Sequence, residues 1–266
     1  MTQPIALTDP ARELAELCGA LQVSTNKSGE TFLAERFEVD PWSRDFFEII
    51  FTITERCGLL QGIVGEIEID EDFRTEMVAN VQTIMTAFSA QAMRAQWKEY
   101  GLARVSSVHV GPLKALSASV RQKVAYRKLS ADELQEILDD TSALLAWLRE
   151  HQLEDEDFIR QAMIEGLERF QFRLARLNWL GWGYTLDSLR EIVAAYMLLE
   201  RKGIDPQDNP NAAAILKKVG SVIKSVYRKV AAAKDVAETG DWLLRAYGAG
   251  SLVYQTGRPL IAGLLN

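Results

Sequence analysis

"DEDFRTEMVANVQTIMTAFSAQA", residues 70–92, decides the fold class. Phe73, Met77, Val81, Ile84, Phe88 and Ala92 follow one another at steps of four, four, three, four and four. That is one face of an α-helix; a strand would place its faces at every second residue. Asp70, Glu71 and Asp72 stand where an N-cap and the helix dipole favour carboxylates. The spacing predicts a helix over about 71–100 with this stripe in the core.

The same signature recurs outward from it. "SADE", Ser130–Glu133, has the form of a capping box and opens a helix facing its core with Leu134, Ile137, Leu138, Thr141, Leu144, Leu145 and Leu148. After "EDED" comes a stripe of Ile159, Met163, Leu167, Phe170, Leu174 and Leu177. Thr185 can cap a helix ending before Gly203, with Leu189, Ile192, Val193 and Tyr196 inward. Asn209–Pro210 is an N-cap and first-position pair for a helix to roughly 234. Upstream, Pro10 starts a short helix, and "WSRDFFEIIFTITERCGLLQGI", 42–63, reads as a largely buried one. The expected fold is all-α or nearly so, a multi-helix bundle of eight or nine helices. Strict alternation in "EIEI", 66–69, and the valines of 105–110 predict a minor two-stranded element, and "KSGETFLAERFEV", 27–39, fits strand, helix or loop. The chain is expected to be a single helical domain over 1–266, or two closely packed lobes, 1–129 and 130–266.

Composition excludes several classes. With 266 residues, half of them apolar, the chain can bury a core without disulfide or metal. Cys18 and Cys57 are too few and too far apart for a disulfide framework, and two reduced, buried thiols suit a cytoplasmic protein. No signal pattern opens the sequence, and no uncharged apolar run is long enough to span a membrane. Neither histidine has a glutamate three residues before it, no Cys/His cluster occurs, and no nucleotide fingerprint is present, so neither metal nor cofactor is expected. His151 follows Trp147 by one turn at a helix end, where a partial positive charge suits the dipole.

One short motif resembles a catalytic pair. "RVSSVH", 104–109, sets four residues between Arg104 and His109, a spacing similar to that of HEPN-type ribonucleases, which are also helical. The resemblance implies RNA cleavage by Arg104 and His109 converging in a cleft, usually at a dimer interface. It covers six residues, and Val105 stands where that family usually has Asn, Asp or His. Val105, Val108 and Val110, with Gly111–Pro112 beyond, also disfavour a regular helix through His109. The plainer reading, a histidine at a loop bonded to backbone, is preferred.

"NWLGWGY", 178–184, sets aromatics and glycines in a break between helices. Trp179, Trp182 and Tyr184 could form a stacking platform for a small ligand, but such corners more often plug the end of a bundle. The C-terminal "LVYQTGRPLIAGLLN", 252–266, is apolar enough to dock in a groove, on a partner subunit for example.

Charge segregation is the strongest signal. Net charge is −7, yet residues 100–131 carry six basic and no acidic side chains, as do residues 209–234, while 132–208 between them carry 8 basic and 17 acidic. At 100° per residue Lys217, Lys224 and Arg228 fall within about 40° of one another, opposite Ile215, Val219, Val222, Val226 and Val230. Such a ridge can hold phosphate or an acidic surface, or can pack against the chain's own acids or those of a second copy. The expectation is a non-enzymatic cytoplasmic interaction or regulatory protein. Its partner would be an anionic macromolecule such as nucleic acid, or an acidic protein surface, with homo-oligomerisation as a further option.

Overall fold

A computed structural model describes residues 6–153, 157–201 and 209–230. The described residues are overwhelmingly helical and fall into two compact units.

The first unit comprises Leu7–Ala125 and Arg176–Tyr184. It holds α1 (Pro10–Ala20), α2 (Gly29–Phe37), α3 (Arg44–Glu66), α4 (Glu71–Thr86), the short α5 (Ala90–Arg94) and α6 (Gly101–Arg104), and α7 (Ser107–Lys123). Asp9, fully buried, caps α1 by accepting the Arg12 N–H, and its second oxygen accepts from Ser117 and Arg121 of α7. One carboxylate thus caps a helix and ties it to its neighbour. α4 packs on α3 and α7, with Met77, Val81 and Ile84 fully buried. Trp97 lies in the core, tilted against Phe32 at 4.9 Å, and donates its indole N–H to the Leu21 carbonyl. A Cβ on Gly101 would stand 2.2 Å from that indole, so no larger residue fits there.

The second unit comprises Tyr126–Ala175 and residues from Thr185 onward. It holds α8 (Ala131–Glu150), α9 (Asp157–Ala175), α11 (Leu189–Arg201) and α12 (Pro210–Val230). α9 packs on α8 and α11, and α12 on α8 and α11. The capping box at Ser130 and Glu133 forms with both of its hydrogen bonds. Buried Arg160 donates to the Leu148 carbonyl and is held by Asp157, satisfying an acceptor at the end of α8. Gly166 lets α9 approach α11, since a Cβ there would lie 2.7 Å from Ile192.

α10 (Leu177–Asp187) belongs to the first unit up to Tyr184 and to the second from Thr185. The minor β element is β1 (Leu7–Thr8) with β2 (Tyr126–Arg127), two residues each.

Several expectations are corrected. The β element does not use 66–69 or 105–110. Glu66 ends α3 and Asp70 caps α4, so "EIEI" is a helix-to-helix connection. Residues 107–110 open α7, because the stripe of Val110, Leu113, Leu116 and Val120 is buried and Pro112 removes only one bond near the helix start. The stripe of 73–92 is buried from Met77 onward but broken: Ala87 ends α4 and Ser89 caps α5. Residues 29–37 form a helix ended by Glu38 in the left-handed region. "NWLGWGY" does hold a break between helices, narrowed to Gly181, whose backbone at φ +75° and ψ 163° interrupts the helical residues on either side. α3 is not largely buried, for Phe47, Phe51 and Leu59 are more than half exposed. The apolar segment 252–266 and the end of the predicted helix at 234 lie outside the described residues.

Candidate anion-binding face

Asn209 caps α12 by accepting the Ala212 N–H, and Pro210 follows at the first helical position. Ile215, Val219, Ile223 and Val226, at steps of four, four and three, are buried. Ile223 takes the place expected of Val222, which is half-buried. This face fixes what the other can show. Lys217 and Arg228 are exposed and Lys224 is half-buried, with exposed Ser221 between them.

The six cations of this tract do not share one fate. Lys229 pairs with Glu136 of α8 at 2.6 Å. Lys218 lies over the Trp147 ring at 5.0 Å, and that ring stacks on His151. Lys217, Lys224 and Arg228 meet no carboxylate among the described residues. Lys234 lies outside the described residues. The other basic tract is largely absorbed by its own units: Arg121 by Asp9, Lys123 by Glu66 and Arg127 by Glu133.

Arg104 and His109 are held separately. Arg104 donates to Thr86 and to the Tyr100 carbonyl, with its guanidinium 3.4 Å above the Tyr100 ring. His109 sits in the first turn of α7 with Nδ1 2.8 Å from Asn80 Oδ1. It is a helical histidine bonded to a side chain, not a loop histidine bonded to backbone. The anchors Asn80 and Thr86 are six residues apart on α4, about 9 Å of helix rise. His151 donates Nδ1–H to the Trp147 carbonyl at the end of α8.

In the aromatic corner, Trp182 is buried and Trp179, half-buried, meets Phe37 edge-on at 5.1 Å; Tyr184 is half-buried. Beneath it lies a cluster that sequence reading missed. Arg56 of α3 donates to the Trp179 carbonyl, and its other terminal nitrogen is 3.6 Å from Glu13 of α1. The same Glu13 oxygen accepts the Trp182 N–H. Gly181, at φ +75°, has both charged groups within 2.7 Å of where a Cβ would be. Burial pushes the Glu13 carboxyl up to about 7 against the pull of Arg56, and burial raises both the Cys18 and Cys57 thiols. Nothing local marks Glu13 or Arg56, which stand 43 residues apart in an otherwise ordinary amphipathic pattern. No group of three or more metal-ligating side chains occurs among the described residues, and no described helix is long and apolar enough to cross a membrane.

No family model matches the chain, and neither a curated protein nor a solved structure matches it.

Proposed function

We propose that this chain is a non-enzymatic interaction protein of the cytoplasm that offers the outward ridge of α12 to the phosphates of a nucleic acid. One observation carries the reading. In a chain of net charge −7, Lys217, Lys224 and Arg228 share one outward face and meet no carboxylate among the described residues. The 11 helical steps from Lys217 to Arg228 span about 16 Å, enough to meet successive backbone phosphates. Screening beyond roughly 8 Å at physiological salt keeps the mutual repulsion of the three cations small, so the ridge is tolerable in the free protein.

The test is a salt-series titration of wild type against DNA, RNA and anionic vesicles. Alongside runs the triple variant Lys217→Glu, Lys224→Glu, Arg228→Glu. Nucleic-acid binding should weaken with salt at a log–log slope near −0.9 per phosphate contacted on duplex DNA, and the variant should not bind. Salt-independent binding, or equal binding by the variant, would sink the proposal. Binding to none of the three probes would also sink it and leave an acidic protein as the partner to test.

A further inference from the structure

The outward face of α3 has no partner among the described residues of its own unit, and its composition is not that of a surface left to water. Phe51 is 62% exposed, Leu59 57% and Phe47 52%. Phe47 is held in place by rings behind and beside it, Phe46 at 6.0 Å and Trp42 at 5.8 Å. Trp42 is itself 47% exposed and sits at φ +62°, a conformation that a bulky residue adopts rarely and at a cost. Further along the helix come Gly58, Gly62 and Gly65, all exposed.

These glycines lack an internal reason. A Cβ at Gly58, Gly62 or Gly65 would meet nothing within 4 Å, whereas one at Gly29, Gly101 or Gly166 would collide with a neighbour. Glycine inside a helix is less stable than alanine, and three in one helix compound the loss. A close approach by something outside the chain accounts for all three.

The spacing identifies what approaches. At 100° per residue, Phe47, Phe51, Gly58, Gly62 and Gly65 fall within about 60° of one another. Let a second α3 lie antiparallel on this face with a twofold axis between Thr54 and Glu55. Phe51 and Gly58 are equidistant from that axis, and so are Phe47 and Gly62. Each phenylalanine therefore sits over a glycine of the other copy, and the symmetry makes every such contact twice. The same operation brings exposed Arg44 of each copy opposite Gly65 and beside exposed Glu66 of the other, giving two complementary charge pairs on one rim. Glu66 remains mostly exposed while it pairs with Lys123 of its own chain at 2.5 Å. Large meets small, and positive meets negative, only in the antiparallel register.

We infer that the chain forms a twofold homodimer through antiparallel packing of α3, with Phe47 and Phe51 seated on Gly62 and Gly58 of the second copy.

Sedimentation equilibrium on the full chain, over a dilution series, tests this with variants whose folding is checked by circular dichroism. Wild type should be a dimer, and Phe51→Arg should weaken it at least about 30-fold, as loss of an interface anchor does. Gly62→Leu should dissociate the dimer while leaving the monomer's melting temperature unchanged or higher, because leucine favours the helix and has open space there. A merely structural role for Gly62 could not give that combination. Arg44→Glu should weaken the dimer and the double variant Arg44→Glu, Glu66→Arg should restore it. A wild type that stays monomeric overturns the inference, whatever else covers the face, residues 231–266 of the same chain included. So does a dimer indifferent to Gly62→Leu, and so does failure of the charge swap to restore what Arg44→Glu removed.

Discussion

Glu13 shows how much a single side chain can owe to its surroundings. Burial raises its carboxyl to about 7, the opposing pull of Arg56 being the smaller effect, and the nearby Asp9 and Glu16 push the same way as burial. In the unfolded chain the group titrates near its ordinary 4.5. Between these values the folded chain holds a proton that the unfolded one has released, so stability is greatest below about 4.5 and falls as pH rises through about 7. Glu13→Gln should remove that loss between pH 5 and 8 in thermal melts; an unchanged pH profile would refute the assignment. Glu13→Ala should cost about 3–5 kcal/mol at neutral pH by stranding Arg56, measured by denaturant unfolding. His109 is the contrasting case. Its imidazole is committed to Asn80 and Arg104 to Thr86 and Tyr100, so RNA incubated with wild type or His109→Ala should be equally intact. Cleavage by wild type that disappears in the variant would restore the ribonuclease reading.

At the scale of elements, what was legible in the sequence was what is local. The box at Ser130 is four residues long and formed as read, and Ser130→Ala should cost about 1 kcal/mol in denaturant unfolding. The stripes of α8 and α9 were also readable, since periodicity alone names their buried faces. Pro112 was misread because a local penalty was weighed without the burial of Val110 and Leu113 that outweighs it. α3 fails in a different way. Its apolar residues surround the helix, and a pattern apolar on all sides cannot say which side finds a partner within the fold. The ridge of α12 was legible in angle but not in pairing. Helical geometry placed Lys217, Lys224 and Arg228 together, while the capture of Lys229 by Glu136 depends on a contact 93 residues away. The Glu13–Arg56 cluster was illegible for that same reason.

At the scale of the molecule, the chain begins one unit at Leu7, leaves it at Ala125, returns for nine residues at Arg176–Tyr184 and then departs for good. Those nine residues bring Trp179 to Phe37, and the Trp179 carbonyl and Trp182 N–H to Arg56 and Glu13. The unit whose residues are nearly all made by Ala125 is therefore completed only at Tyr184. A ribosome that has made residues 7–125 has made nearly all of it, yet Phe37 and the Glu13–Arg56 pair still await their cover until residue 184 emerges. A fragment ending at residue 125 should accordingly melt well below the full chain and bind a hydrophobic dye, and adding residues 176–184 through a flexible linker should reverse both. If the short fragment is as stable as the whole, the returning segment is dispensable. Otherwise the order of synthesis imposes a waiting period, about sixty residues long, during which the nascent chain carries an open core.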